Sequence, residues 1–338
     1  MKFTRRNFNK HTLALVSLLT GVSCVNTAAN KIDASPKKAI PLILDTDIGD
    51  DLDDTWALMM LLRSPEVDVK LITTGFGNTK YRTRLLGKLL HSLGHADIPI
   101  GIGLDPEDKV GNQSDWLGEY QLEEYPGEVH EDGIQVMIDT INTSIEPVTL
   151  LCIGPVMNIA EALRRDPAIA KNARFVGMQG SVYVGYDGKP IPAAEWNVKV
   201  DPGSLQKVFA AEWECSITPL DTCGLVQLKG EKYQRLFKNE NSWVKILMDN
   251  YRIWLPNVTW LDPKPDLSKM SSTLFDTVAV YLTYSQDFLV MESLPLRVTD
   301  DGFTVIDKVN GRAVHCATGW QDMAAFEDRI VELITNES

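Results

Sequence analysis

Ile40-Pro41-Leu42-Ile43-Leu44-Asp45-Thr46-Asp47-Ile48-Gly49-Asp50-Asp51-Leu52-Asp53-Asp54-Thr55-Trp56-Ala57-Leu58 is the stretch on which the fold turns. Its opening, residues 40–44, is a short apolar run of the kind that forms a strand buried on both faces. From residue 53 to residue 62 apolar side chains recur at helical spacing, until Ser64-Pro65 ends the pattern. Between the two, Asp45, Asp47, Asp50, Asp51, Asp53 and Asp54 put six carboxylates within ten residues, at the carboxyl end of the strand. In an open α/β sheet that edge is where ligands bind. Like charges so crowded raise one another's pKa and cost stability unless a cation or water compensates. Oxygen donors without a neighbouring His or Cys point to a hard divalent ion, Ca²⁺ or Mg²⁺. The alternative is a solvated, acid-rich helix start favoured by the helix dipole.

Outward from this stretch, strand-like and helix-like runs keep alternating, the signature of crossover units that build a parallel sheet. Further strands are expected over residues 69–74, 98–102, 148–153 and 174–178, with helices over 81–93, 133–144 and 156–164 and a Gly/Pro/Tyr-containing loop to Pro192. From Leu228 one long helical region is expected to about Leu255, broken by Trp254-Leu255-Pro256 and by Asp262-Pro263-Lys264-Pro265. Helices over 272–284 and 321–334 flank an alternating run, 296–314, that suits antiparallel strands. The expected fold is α/β and Rossmann-like: an open, mostly parallel sheet flanked by helices, with a small antiparallel addition near the C-terminus. No internal repeat divides residues 31–338, so one domain is expected there.

The formal charge is −13, although residues 1–23 hold Lys2, Arg5, Arg6 and Lys10 and no acid. A body so acidic repels nucleic acid polymers and anionic lipid, which leaves a small molecule or a cation as partner. Thr4-Arg5-Arg6-Asn7-Phe8-Asn9-Lys10 is similar to a twin-arginine export signal, and the apolar run from Leu13 to Val22 is too short to span a bilayer. Residues 1–30 therefore read as an export signal, with cleavage near Thr27-Ala28-Ala29 or lipidation at Cys24, and a periplasmic or otherwise extracytoplasmic location follows. Contact with a membrane is expected only through a lipid on Cys24. A buried amphipathic N-terminal helix is the competing interpretation. Cys152, Cys215, Cys223 and Cys316 form no CxxC pair, so no zinc or thioredoxin-like site is signalled. Export permits a Cys215–Cys223 disulfide, against the commoner case of isolated buried thiols.

The acidic run resembles the N-terminal signature of the inosine-uridine preferring nucleoside hydrolase family, in which a strand ends in Asp-x-Asp, a glycine turn follows and an Asp-Asp pair opens a helix. Further resemblances follow in the family's order: Thr73-Thr74-Gly75-Phe76-Gly77-Asn78, Ile153-Gly154-Pro155-Val156-Met157-Asn158-Ile159-Ala160, Met178-Gln179-Gly180, Glu195-Trp196-Asn197 with Asp201-Pro202, and Phe275-Asp276-Thr277-Val278-Ala279. The resemblance implies Ca²⁺-dependent hydrolysis of the N-glycosidic bond of a ribonucleoside. It assigns Asp47, Asp54, Asp276 and the carbonyl of Ile153 to the ion, and Asp53 as the general base for the attacking water. Asn78, Glu195 and Asn197 would hold the sugar hydroxyls, and Met178 would pack beside the sugar. The resemblance also implies a homodimer or homotetramer. Each residue has a plainer alternative: Asn78 and Asp276 as helix caps, Met178 as core, Glu195 and Asn197 as surface loop.

Three departures bear on the chemistry. Asp50-Asp51 is a two-residue expansion before Asp53-Asp54, which makes Asp51 the fallback ligand. Phe275 stands where many members carry a His that protonates the leaving base. Asp187, Gly188 and Lys189 offer no counterpart for a loop asparagine. His130, in Val129-His130-Glu131-Asp132-Gly133, is the candidate replacement acid, and Tyr183, Tyr186, Trp254 and Trp260 are candidates to stack on a base. Two other functions compete. Leu42-Ile43-Leu44-Asp45-Thr46-Asp47 also resembles a haloacid-dehalogenase-type, Mg²⁺-dependent phosphatase with Asp45 as nucleophile, and a calcium- and ribosyl-binding protein of weakened turnover would account for Phe275.

Overall fold

The computed structural model describes residues 38–104 and 108–336, so the expected export signal and Cys24 lie outside the described residues. The chain alternates as expected through β1 (Ile40–Thr46), α1 (Asp53–Leu62), β2 (Val67–Thr74), α2 (Thr79–Leu93), β3 (Ile100–Ile102), the short α3 (Ser114–Leu117) and β4 (Val129–His130). It continues with α4 (Gly133–Thr143), β5 (Val148–Cys152), α5 (Met157–Arg165), β6 (Ala173–Met178), the single-turn α6 (Trp196–Lys199), α7 (Pro202–Ala210) and β7 (Cys215–Thr218). The last part holds α8 (Gly230–Phe237), α9 (Ser242–Asn257), α10 (Phe275–Leu282), β8 (Leu289–Val298), β9 (Thr304–Ile306), β10 (Arg312–Trp320) and α11 (Met323–Thr335).

The strands form one sheet in the order β4-β3-β2-β1-β5-β6-β7-β10-β8-β9. Strands β1 to β7 are parallel to their neighbours, β10 is parallel to β7, and β8 and β9 pair antiparallel. From β1 the chain builds outward through β2, β3 and β4, then returns to lay β5 on the other side of β1. That reversal is a topological switch point, where α/β folds open a crevice outside the carboxyl ends of the strands.

Alternation along β1 sorts the two faces. Leu42 and Leu44 join a core with α1, α2 and the C-terminal helices, whereas Ile43 joins a second core with α4, α5 and α7. Continuing that period of two puts Asp45 on the α5 face and Thr46 on the α1 face. Helix α1 is buried along almost its whole length, Trp56 included, as a helix apolar on all sides must be.

Three expectations need correction. The helical region after Leu228 is two helices, because Asn241 breaks it by capping α9 through Val244 N at 2.7 Å. Pro256 is accommodated in the last turn of α9 instead of ending it. The antiparallel addition begins at Leu289, earlier than the alternation suggested, because β8 leaves much of its length exposed or half-buried and its first residues, Leu289-Val290-Met291, do not alternate apolar with polar. No Cys215–Cys223 disulfide forms; Cys152, Cys215, Cys223 and Cys316 are buried thiols. Strand β7, at only four residues, gave no recognisable period. Among the described residues no helix is long and apolar enough to cross a membrane.

Candidate active site

Carboxylates gather beside the β1/β5 switch point. Helix α1 presents Asp53 and Asp54 from its first turn and packs on α10, which presents Asp276 from its own. Carboxylate oxygens of these three buried residues lie within 4.8 Å of one another. Burial pushes all three well above the usual carboxylate range, and neighbouring acids push further: Asp51 and Asp47 on Asp53, Asp47 and Asp53 on Asp54, Asp53 and Asp54 on Asp276, while a hydrogen bond with Asp276 holds Asp53 back. Asp54 is pinned by the Thr46 hydroxyl at 2.5 Å, a bond that follows from Thr46 facing α1.

Asp47 lies outside that triangle, on the rim, and its charge raises all three members. Burial raises Asp47 itself to about 6, against the pull of the Arg82 guanidinium. Gly154 lets it in: a Cβ there would stand 2.5 Å from Asp47 Oδ1. Asp51 accepts from the N–H of Leu52 at 2.6 Å and is raised by burial to about 7. It too stays outside the triangle, so the expansion Asp50-Asp51 loops over the site while Asp53 and Asp54 open the helix.

On the β6 side, Glu195 is buried and accepts from the N–H groups of Gly180 at 2.9 Å and Asn197 at 2.7 Å. Burial nevertheless raises it to about 7. The Asn197 amide donates to the carbonyls of Ile153 and Met178, both at 3.1 Å, and lies 3.3 Å from the Met178 sulfur. Asn197, Ile153 and Met178 are thus one cluster at the carboxyl ends of β5 and β6. Aromatic side chains rim it: Trp196 packs edge-on against Phe76, and Tyr186 against Phe275, with the N–H of Trp196 donating to the Tyr186 hydroxyl at 2.9 Å.

Two further candidates have partners of their own. Asn78 does cap α2, accepting from Tyr81 N at 2.9 Å while donating to the Asp108 carbonyl at 3.0 Å, so both ends of its amide serve the loop. His130 is not brought to the acids. It sits on β4 at the edge of the sheet, three strands from β1, and pairs with Glu128 at 3.4 Å. Asp45 is also corrected as a candidate nucleophile. On the α5 face it accepts from Thr73 at 2.5 Å and Asn158 at 2.8 Å, with the Cys152 thiol at 3.7 Å, and burial raises it to about 6. A carboxylate so enclosed braces the strand end and has no access to a phosphoester.

Arg82, which sequence reasoning passed over, threads its buried guanidinium under the acidic loop. The available signal was its place on the inward stripe of α2 with Thr79, Thr83 and Leu86. Trp254, one of the candidates to stack on a base, is buried in the core and donates its indole N–H to the Asp50 carbonyl at 2.9 Å.

The family model of inosine-uridine preferring nucleoside hydrolases matches residues 42–328, which takes in every element just described from β1 to α10. The chain belongs to this family. Within it, the pyrimidine-specific ribonucleoside hydrolase RihA of Escherichia fergusonii is 34% identical over 208 residues, a match that spans 58% of this chain and 65% of that relative. Solved nucleoside hydrolases share the fold. A plant nucleoside hydrolase, PpNRh1, superposes with a TM-score of 0.75 at 21% identity, covering 89% of this chain and 100% of its own. The purine-preferring ribonucleoside hydrolase from Gardnerella vaginalis gives 0.70 at 22% identity over 87% of this chain and 99% of its own. The phosphatase interpretation finds no counterpart in these comparisons, in keeping with the enclosure of Asp45.

Proposed function

We propose that this nucleoside hydrolase family member cleaves the N-glycosidic bond of a ribonucleoside with Ca²⁺ as its ion, releasing base and ribose. The observation that carries this is the convergence of Asp53, Asp54 and Asp276 in a buried set of hard oxygen donors. Three buried carboxylates brought together suit a divalent cation with oxygen preference, and calcium, which takes about six to eight oxygen ligands in flexible geometry, is the ion we assign. When bound, the ion would supply positive charge that grips the ribose 2′ and 3′ hydroxyls and acidifies the attacking water. Asp47, Asp54, Asp276 and the Ile153 carbonyl would hold it.

Asp53 takes the proton from that water, its base strength set by burial and by the charges around it. Glu195 and Asn197 orient the sugar, with Asn78 at the loop end and Met178 packed beside it. The negative floor favours a ribosyl oxocarbenium-like transition state. With Phe275 in place of a His and His130 at the sheet edge, Tyr186 is the better-placed donor to the departing base, its hydroxyl beside Glu195 and its ring against Phe275. The aromatic rim suits a flat heteroaromatic base. The N-terminal signal supports an extracytoplasmic location.

Purified protein assayed on purine and pyrimidine nucleosides should release base, lose that activity to a calcium chelator and regain it with Ca²⁺. Binding of ribose or nucleosides without base release would favour the binding-protein alternative that Phe275 raises. Release insensitive to chelator would reject the metal.

A further inference from the structure

Arg82 is a cation buried almost completely, at 2% exposure, and its donors are spent mostly on backbone. Nε donates to the Phe76 carbonyl at 2.6 Å, Nη1 to the carbonyls of Asp47 and of Ile48, the latter at 3.0 Å, and Nη2 to Asp50 Oδ2 at 2.7 Å. Phe76 belongs to the loop that follows β2 and carries Asn78, whereas Asp47, Ile48 and Asp50 belong to the loop that follows β1. One side chain on α2 therefore ties both loops at the switch point. The chain bends to allow it. Phe76 holds a φ of 55°, uncommon for a residue with a side chain, and Gly77 follows at 68°. A Cβ on Gly77 would stand 3.0 Å from Arg82 Nη2.

The geometry points to Arg82 as a positioning residue for the ion and sugar face: a resident fork that presents Asp47 and fixes its loop relative to the loop of Asn78. This rests on the metal-dependent function proposed above. A planar guanidinium reaches four acceptors spread across two loops; an ammonium, with its three donors on one atom, does not. The same cation also lies near Asp47, Asp50 and Asp54, and a purely electrostatic role would have the opposite consequence for a divalent ion, since a neighbouring positive charge repels it.

Three variants separate the two roles. Calcium affinity is measured by calorimetry on chelator-stripped wild type, Arg82→Lys, Arg82→Met and Asp50→Asn, with amide hydrogen exchange over residues 46–52 and 75–79 on the same samples. Positioning predicts that Arg82→Lys, which keeps the charge, and Arg82→Met, which removes it, both weaken calcium binding at least tenfold. Both should speed exchange in the two loops together, at least tenfold, with β5 unchanged. Asp50→Asn, which leaves the three carbonyl contacts, should change affinity less than threefold. Wild-type behaviour in Arg82→Lys, or tighter binding in Arg82→Met, overturns the inference. If Arg82→Met does not fold, Arg82→Lys carries the decision. If the wild type takes up no calcium, the function proposed above fails, and the exchange data alone decide whether Arg82 ties the loops.

Discussion

Buried carboxylates meet two different surroundings in this molecule. Asp221 lies beneath the loop after β6 and accepts three backbone N–H groups, from Val182 at 2.9 Å, Tyr183 at 2.7 Å and Val184 at 3.2 Å. Asp53, Asp54 and Asp276 lie instead among other acids, and beyond burial the charge of Asp47 raises all three. The first arrangement lowers the energy of the folded chain by giving buried N–H groups a strong acceptor. The second raises it and returns the cost only when a cation arrives. Residue type and burial are the same in both surroundings; what distinguishes a structural acid from a ligand is whether the protein itself supplies the donors.

The contrast is broken most severely at Asp276. Asp276→Asn should lower kcat/KM for nucleoside hydrolysis by about a thousandfold, which corresponds to about 4 kcal/mol of transition-state stabilisation. The same change should raise the melting temperature of chelator-treated protein, because a repelling charge has gone. A fall in that melting temperature would show the triangle to be structural. Asp221→Ala should do the reverse, strand three N–H groups and cost about 3 kcal/mol in denaturant unfolding, while calcium affinity in the folded fraction stays the same.

The next effect concerns pH. Asp45 and Asp47 are raised to about 6 and Asp51 and Glu195 to about 7. An acid whose pKa is higher in the folded state binds more protons there than when unfolded, so its contribution is present below pH about 4 and is lost as pH rises through the folded value. Metal-free protein should therefore melt at a lower temperature at pH 8 than at pH 5. Saturating calcium should flatten that trend, since the ion takes the place of the protons, and its affinity should fall below pH about 6. A metal-free melting temperature that climbs from pH 5 to pH 8 would contradict the assignment of these acids.

The smallest effects test the leaving-group side. Tyr186→Phe should slow nucleosides about tenfold and leave a nitrophenyl riboside, whose leaving group needs no proton, nearly unchanged. His130→Ala should change either rate less than about twofold. A large, substrate-selective loss at His130 would restore it as the acid and require the β4 edge to reach the crevice.

Most of the scaffold was legible because its signals are local. Residues 40–62 read as strand, acidic turn and helix, and α1 begins at Asp53 as the helical spacing implied. Strand β7 and the start of β8 were not legible, for the first is four residues long and the second is half exposed, so neither shows a period. At the site, Asp53, Asp54, Asp276, Glu195 and Asn197 were legible as members of family motifs in order. Arg82 was not, because an arginine on an amphipathic helix ordinarily snorkels to solvent. Asp45 and Asp47 looked alike in the sequence and diverge in space, since a strand turns successive side chains to opposite faces while the chain after Thr46 leaves the strand.

By itself, then, the sequence determined the alternation of elements, the acidic strand end and its family, all of which depend on neighbours within a few residues. Only tertiary structure decided which acids share a cavity, which are satisfied by backbone N–H groups, and that a buried guanidinium ties two loops together. Those depend on elements more than two hundred residues apart, Asp54 on α1 and Asp276 on α10, being packed against each other. A carboxylate's energy is set by the donors and charges that surround it, and these are known only once the chain has closed.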